Sequence, residues 1–278
     1  MSGWVWDCNG KSLDLSQPCV MGILNITPDS FSDGGFFMSA ENAIQQALRM
    51  VAEGAAIIDV GGESTRPGAE PVSTQQELDR VIPVVEALSK ELEVPISIDT
   101  SKPQVMSAAV QAGAGLINDV CALRAPGALE AAAQSGVPVC LMHMRGEPRT
   151  MQQAPQYTDL LVEVREFLRQ RIDACVGAGI DINRIIVDPG FGFGKTPLHN
   201  LRLIKNLSEF EPLSCPILVG VSLKSSIGAL LDRPVDQRLA GSLILTAMAL
   251  ERGARIIRAH DVAPTVDAVR MMRAFSDA

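Results

Sequence analysis

The chain has 278 residues, of which 47% are hydrophobic and 20% are charged, a balance typical of a globular enzyme with a large core. Its formal net charge of −8 argues against a nucleic-acid-binding protein, although a local group of Lys and Arg can still bind a small anion. The first residues lack a signal-peptide pattern and no apolar run is long enough to span a membrane, so we expect a cytoplasmic protein with no membrane partner.

The predicted elements begin with a short extension, residues 1–19, in which Asn9-Gly10 favours the tight turn of a small hairpin. After it, short apolar strands alternate with helices, which is the order expected of a parallel sheet. The strands are predicted at residues 20–24, 57–58, 96–98, 116–117, 137–142, 185–187, 217–221 and 256–257. The helices are predicted at residues 40–54, 73–92, 103–112, 126–135, 157–176, after Ser225, 240–252 and 264–276. This spacing leaves no room for a second domain, so residues 1–278 are predicted to form one domain.

Almost every predicted strand leads into a polar or charged residue. Such a side chain costs free energy when it is buried without a partner, so the repetition needs a common cause. A (β/α)8 TIM barrel supplies that cause, because its parallel strands all direct their C-terminal ends to one shared site. We therefore predict an α/β fold, a single TIM barrel whose N-terminal end is covered by the hairpin. The polar residues at the strand ends are Asn25, Asp59, Asp99, Asn118, Asp119, His143, Asp188, Ser222, Lys224, Arg258 and His260.

Asp99, Asn118 and Asp188 form the first candidate group, at the mouth of the barrel. An Asn between two carboxylates, with no His beside it, is a poor transition-metal site. Carboxylate and amide oxygens placed side by side accept hydrogen bonds from the N–H groups of a flat heterocycle. The alternative is that each side chain caps the helix that follows it, but three such residues together favour a ligand.

A second candidate group lies at the ends of the last two predicted strands, where TIM barrels commonly hold phosphate. In an extended segment Ser222 and Lys224 point to one side, and Leu223 points to the other. Arg66, in the loop after the second barrel strand, would close an anion clamp from above. The alternative is that Lys224 lies along the surface and Arg258 pairs with Asp261. The predicted clamp consists of Ser222, Lys224, Arg258 and His260.

Residues 188–196 resemble a phosphate-binding P-loop, but Pro189 stands where that motif requires its first glycine. We reject the P-loop for this reason. The glycines of this segment are interpreted instead as letting Phe191 or Phe193 approach a flat ligand.

The loops after the first two barrel strands are long and glycine-rich, and with the strand-end motifs they closely resemble bacterial dihydropteroate synthases. The resemblance runs from about residue 13 to the last helix, and the two loop motifs are highly specific. The motifs are MGILNITPDSFSDGG at residues 21–35, DVGGESTRPGA at 59–69, DTSKP at 99–103, IND at 117–119, LMHMRG at 141–146, DPGFGFGK at 188–195 and RAHD at 258–261.

This resemblance implies condensation of 6-hydroxymethyl-7,8-dihydropterin diphosphate with p-aminobenzoate, giving 7,8-dihydropteroate and diphosphate for folate synthesis. No protein nucleophile is implied: diphosphate departs with the help of Mg2+, and the arylamine attacks the pterin cation that remains. Sulfonamides are implied as competitors of p-aminobenzoate, and a homodimer is implied through outer helices near residues 243–250 and 266–272.

The same resemblance implies the roles of individual residues. The pterin would contact Asp99, Asn118, Asp188, Phe193, Lys224 and Arg258. The diphosphate and p-aminobenzoate would contact Asn25, Phe31, Thr65, Arg66, Pro67, Ser222, Arg258 and His260. Asn25 would be the protein ligand of Mg2+. The catalytic residues would be Asp99, Lys224, Arg258 and His260.

Leu223 departs from the family pattern, which usually has Ser-Arg-Lys at positions 222–224, and we expect catalysis to survive the change. Three alternative functions are a methyltetrahydrofolate-type methyltransferase, a catalytically weak pterin-binding paralogue and a Schiff-base aldolase that uses Lys224. The methyltransferase would not need a diphosphate clamp, and a weak paralogue is disfavoured because Lys224 and Arg258 are both present.

Overall fold

The computed structural model describes residues 4–26, 35–64, 71–146, 151 and 155–278, with the backbone alone for residues 35–39. Eight parallel strands close into a barrel, which confirms the predicted TIM barrel. Each barrel strand pairs with the next one in the chain, and the last strand pairs with the first. The barrel strands are β3 (Cys19–Asn25), β4 (Ile57–Gly61), β5 (Ile96–Asp99), β6 (Leu116–Asp119), β7 (Val139–Met142), β8 (Ile185–Asp188), β9 (Ile217–Val219) and β10 (Ala254–Ala259).

Helices surround this barrel. They are α1 (Gly35–Ala52), α2 (Thr74–Glu91), α3 (Pro103–Gln111), α4 (Ala128–Ser135), α5 (Leu160–Gly177), α6 (Pro197–Lys205), α7 (Ser225–Leu231), α8 (Leu239–Glu251) and α9 (Val262–Ser276). Within the described part of the chain, every helix is too short or too polar to cross a membrane.

One helix, α6, was not predicted. It starts with a capping box, in which the Thr196 hydroxyl accepts the His199 N–H at 3.2 Å. The usual third residue of such a box is Glu or Gln, so a His at this position hides the signal. The predicted start of α5 was also wrong, because Asp159 caps the helix and Leu160 is its first residue.

A hairpin formed by β1 (Val5–Cys8) and β2 (Lys11–Asp14) lies against the N-terminal end of the barrel. Asn9 and Gly10 make its turn with φ angles of 58° and 84°. A Cβ atom on Gly115 would lie 2.2 Å from the Cys8 carbonyl oxygen, so the glycine permits direct contact between hairpin and barrel. The apolar cluster between them contains Trp6, Cys8, Leu13, Leu15, Met21, Ile57, Leu116, Cys140, Ile186, Leu218 and Ile256.

Candidate active site

Polar residues from neighbouring strands share one level at the C-terminal end of the barrel. Asn25 pairs in register with Gly61, Gly61 with Asp99, and Asp99 with Asn118. Residues paired in a parallel sheet face the same side, and here that side is the barrel lumen. Asp188 ends β8 on the same rim. Asp99, Asn118 and Asp188 are buried in the mouth of the barrel, where the sequence predicted them.

Arg258 lies at the centre of this mouth, held by two carboxylates. Its Nε donates to Asp59 Oδ2 at 2.6 Å, and its Nη2 donates to Asp99 Oδ2 at 2.7 Å. Asn118 Nδ2 donates to the same Asp59 oxygen at 3.1 Å. The alternative pairing of Arg258 with Asp261 is therefore wrong.

Asp59 is the residue that the sequence analysis named only as a strand end and did not assign to the site. It is fully buried, and within the described residues its second oxygen, Oδ1, has no hydrogen-bond partner. Its position after two buried isoleucines of β4 was the available signal, as it was for Asp99 and Asp188 on their own strands.

Two carboxylates share one guanidinium here, which leaves an excess of negative charge in a buried place. Burial raises the pKa of Asp99 to about 7, Arg258 opposes this rise, and the neighbouring Asp59 adds to it. Burial also raises the pKa of Asp188, which the Gly190 N–H and the nearby Lys224 and Lys195 lower in part. The mouth therefore carries an excess of buried negative charge, which a ligand rich in N–H donors, or a cation, would stabilise.

Lys224 and Phe193 form the side of the mouth next to Asp188. The Lys224 ammonium lies 4.2 Å from the centre of the Phe193 ring, a cation–π contact. Phe193 packs with a group of methionines on this rim, whereas Phe191 belongs to the core between barrel and helices. Only Phe193 is therefore placed to meet a ligand.

The glycines of this segment lie against the backbone of the loop after β7 and against Lys224. Gly190 and Gly194 have positive φ angles, and a Cβ atom on them would lie 1.8 Å from the His143 carbonyl oxygen and 2.5 Å from that of Arg145. They permit close packing of two loops, and the approach of an aromatic ring to a ligand stays a prediction. Gly192 makes room for the Lys224 side chain, which would lie 3.2 Å from a Cβ atom there.

The segment that carries Ser222 and Lys224 is a turn, so the prediction of an extended strand end was wrong. Strand β9 stops at Val219, and Leu223 has a left-handed backbone with a φ of 57°. The Leu223 N–H donates to Ser242 Oγ at 3.0 Å, and its carbonyl accepts from Arg238 Nη1 at 3.2 Å. The start of α8 therefore sets the shape of this turn.

In the predicted anion clamp, Ser222 and His260 are in direct contact. Ser222 Oγ lies 3.0 Å from His260 Nδ1 and also accepts the His260 N–H at 3.2 Å. Arg258 bonds instead to Asp59 and Asp99, and Lys224 lies over the Phe193 ring. Phe31, Thr65, Arg66 and Pro67 lie outside the described residues.

Asp119, the neighbour of Asn118 at the end of β6, holds the turn that follows its strand. Its carboxylate accepts the N–H groups of Cys121 and Leu123, each at 2.7 Å, and the hydroxyl of Ser101. Ala122 and Leu123 both have left-handed backbones, so Asp119 holds a strained turn beside the site.

The stem of the loop after β4 has its own charged cluster, which the sequence analysis missed. Lys102 Nζ lies 2.5 Å from Glu63 and 2.5 Å from the fully buried Glu77. Glu63 also accepts the Val72 N–H at 3.1 Å, and Arg80 donates to the Gly62 carbonyl at 2.8 Å. These bonds join the two ends of the segment that carries Arg66.

The described residues contain no group of three or more His, Cys, Asp or Glu side chains able to enclose a metal ion. Asn25 nevertheless presents an amide oxygen at the rim: a Cβ atom on Gly61 would lie 3.8 Å from Asn25 Oδ1 and 3.7 Å from Asp99 Oδ2. Mg2+ usually takes one or two protein oxygens and completes its shell with water and substrate phosphates. The donor set therefore fits a magnesium ion that arrives with a diphosphate.

The chain is similar to known proteins over almost its whole length. The family described as "Pterin binding enzyme" matches residues 21–260. Dihydropteroate synthase of Escherichia coli (strain K12) is 55% identical over 265 residues, which are 95% of this chain and 94% of that protein.

Two solved structures are similar over the whole chain. Yersinia pestis dihydropteroate synthase with a sulfonamide drug has a TM-score of 0.94 and 52% identity, covering 99% of this chain and 100% of that one. Xanthomonas albilineans dihydropteroate synthase with 4-aminobenzoic acid has a TM-score of 0.95 and 50% identity, covering 100% of both chains. With its barrel, its acidic mouth and these relatives, the chain belongs to the pterin-binding enzyme family and, within it, to the dihydropteroate synthases.

Proposed function

We propose that the barrel mouth joins 6-hydroxymethyl-7,8-dihydropterin diphosphate to p-aminobenzoate, with a separate group of residues for each part of the substrates. The observation that carries this proposal is the network in which Arg258 bonds to Asp59 and Asp99 while Asn118 bonds to Asp59. In this network the oxygens that can accept hydrogen bonds from a heterocycle are directly bonded to, or next to, the cation that can bind a phosphate.

The pterin would lie on the acidic edge. Asp99, Asn118 and Asp188 offer oxygens that face the lumen, and the pterin carries several N–H donors in one plane. Lys224 would donate to a ring acceptor, and the Phe193 ring beside it would cover one face of the pterin. Burial makes these bonds selective, because a ligand without the matching donors leaves buried acceptors unpaired.

The diphosphate would lie above this edge, against Arg258, His260 and Ser222, with Thr65 and Arg66 added from the second loop. Arg258 is charged and already oriented, since Asp59 fixes its Nε at 2.6 Å. The charge on the leaving diphosphate therefore meets a cation that needs no large rearrangement. When bound at Asn25, Mg2+ would neutralise further charge on the leaving group.

The chemical step would need no nucleophile from the protein. The C–O bond to the diphosphate breaks, and the electron pair leaves with the diphosphate. The arylamine nitrogen then attacks the pterin methylene cation and loses its proton. Asp99 would stabilise the positive charge on the pterin, while Arg258, His260 and Arg66 would stabilise the departing negative charge.

The p-aminobenzoate would lie between Ser222 and the loop residues Phe31 and Pro67, and sulfonamides would compete for the same place. A Xanthomonas relative has been solved with 4-aminobenzoic acid and a Yersinia relative with a sulfonamide drug, which supports both parts of this proposal.

A homodimer through the last helices is also proposed. Ile244 and Met248 on α8 and Met271 and Phe275 on α9 are between 45% and 73% exposed, and the two helices pack against each other. Changing Ile244 and Met248 to Glu should halve the mass measured by analytical ultracentrifugation. The matched control, Val176→Glu on α5, should leave it unchanged, and a monomeric parent would contradict the proposal.

We propose a cytoplasmic location, which the six free cysteines support because free thiols are usual in a reducing compartment.

The test of the main proposal is a turnover assay with the purified protein, both substrates and Mg2+, following diphosphate release and dihydropteroate formation. Release should depend on p-aminobenzoate and on Mg2+. Asp188→Ala and Lys224→Ala should each weaken binding of the pterin diphosphate at least tenfold in calorimetry. Near-normal affinity in both variants would contradict the assignment of the pterin edge.

A further inference from the structure

Lys195 is a fully buried lysine with no role in the reaction described above. It lies between β8 and α6 at the end of the DPGFGFGK segment, and only 2% of its surface is exposed. Burying an ammonium group is costly unless its hydrogen bonds are satisfied, so its presence calls for an explanation.

The ammonium group of Lys195 has three close acceptors for its three N–H bonds. They are His143 Nδ1 at 2.9 Å, the Gly190 carbonyl at 2.9 Å and the Phe193 carbonyl at 3.0 Å. For Nδ1 to accept, His143 must be neutral with its proton on Nε2. Burial and, to a smaller extent, the charge of Lys195 together lower the pKa of His143 to about 2, so the ring is neutral, and the contact with Lys195 makes Nδ1 the acceptor.

These bonds connect Lys195 to two residues of the pterin pocket. Gly190 accepts from Lys195 through its carbonyl, and its N–H donates to Asp188 Oδ1 at 2.7 Å. The Phe193 carbonyl accepts a hydrogen bond from Lys195, and the Phe193 ring lies under Lys224. The backbone N–H of His143 donates to the backbone carbonyl of Asp188 at 2.9 Å, so the ends of β7 and β8 are joined around the same ammonium group.

We propose that Lys195 is a positioning residue for pterin recognition, whose ammonium group holds the Asp188 carboxylate and the Phe193 ring in their binding positions. This inference rests on the proposed assignment of Asp188 and Phe193 to the pterin. Lys195 itself does not touch the reacting atoms.

The charge on Lys195 makes this role dependent on pH. Burial lowers its pKa to about 7; the Asp188 carboxylate opposes that change and Lys224 adds to it. The other groups that face it are His143 at the end of β7 and His199 on α6. As the pH rises through 7, the amine loses one of its three N–H donors, so its hold on the loop weakens.

The test compares Lys195→Met with the parent enzyme by calorimetry, using the pterin diphosphate as the probe. The variant should weaken pterin binding about tenfold or more at pH 6, whereas the KM for p-aminobenzoate should change less than twofold. The ratio of the two pterin Kd values should shrink between pH 6 and pH 9, because the parent loses the proton that the variant never had. Lys205→Met, an exposed change on α6, is the matched control and should behave as the parent.

Three results would overturn the inference: pterin affinity within twofold of the parent, equal losses for pterin and p-aminobenzoate, or a ratio that does not vary with pH. If Lys195→Met does not fold, His143→Asn and His143→Leu replace it. The Asn oxygen can still accept from Lys195, so only the Leu variant should lose pterin affinity; equal behaviour of the two would also overturn the inference.

Asp188→Asn is measured in the same series. Unchanged pterin affinity in that variant would contradict the proposed pterin edge itself, which separates a failure of the function from a failure of the Lys195 role.

Discussion

The two ends of the barrel are built from the same strands but have opposite chemistry. On β4, Ile57 belongs to the apolar cluster under the hairpin, whereas Asp59 holds Arg258 in the mouth. These two residues are separated by roughly 7 Å along the strand, because a strand rises about 3.3 Å per residue. A layer of apolar side chains at one end thus supports a layer of charged groups at the other.

This contrast shows how the fold tolerates a costly site. The N-terminal end buries apolar surface and stabilises the barrel, while the C-terminal end places two carboxylates on one guanidinium and leaves Asp59 Oδ1 unpaired among the described residues. Stability and chemistry can therefore be changed separately.

The largest effect should come from the apolar end. Leu13→Ala removes a side chain that is 2% exposed between hairpin and barrel, and should lower the free energy of unfolding by about 3–4 kcal/mol. Urea unfolding measures this loss. Turnover per folded molecule should stay at the parent value, and a tenfold fall would show that the hairpin influences the site.

Lys224→Met tests the opposite end. The change removes the cation next to the Phe193 ring, and kcat/KM should fall about a hundredfold, equivalent to about 2.7 kcal/mol. The free energy of unfolding should change little, because Lys224 is only half-buried. Steady-state kinetics together with urea unfolding checks both expectations, and an equal loss of stability would contradict the separation of the two ends.

Asp99→Asn should increase stability in a pH-dependent manner. The pKa of Asp99 is raised from 3.8 to about 7, so between these values the folded state keeps a proton that the unfolded state has released. The contribution of Asp99 to the free energy of unfolding therefore falls as the pH rises from 4 to 7.

The Asp99→Asn variant has no titrating side chain at this position, so this pH-dependent contribution to the free energy of unfolding is absent. Its gain over the parent should be roughly 3 kcal/mol larger at pH 8 than at pH 4.5, although its turnover should be low. Thermal unfolding at the two pH values measures the difference, and a gain that is constant with pH would contradict the assignment.

The smallest effect is expected at Leu223. Its bonds to Ser242 and Arg238 are made by the backbone, so the side chain is not needed to hold the turn. Leu223→Arg, which restores the pattern usual in the family, should change kcat/KM less than twofold. A tenfold change would show that this side chain reaches the substrates.

Much of the fold could be predicted because its signals are local. The alternation of short apolar strands with longer helices follows from the periodicity of nearby residues, and the polar strand ends indicate where a shared site must lie. Helix α6 escaped because its capping box uses His199 and its length is only nine residues. The turn at Leu223 was not predicted because no residue pattern in the sequence indicates a leucine with a left-handed backbone.

By itself, the sequence determined the barrel, the end of it that carries the chemistry, and the residues Asp99, Asn118 and Asp188 on its rim. Only the tertiary structure decided that Arg258 is shared by Asp59 and Asp99, which are 199 and 159 positions away along the chain. It alone also decided that Lys195 is buried on His143, 52 positions away. The physical reason is that hydrophobic periodicity reports the environment of each segment, whereas the partner of a buried charge is set by which strand ends meet when the barrel closes.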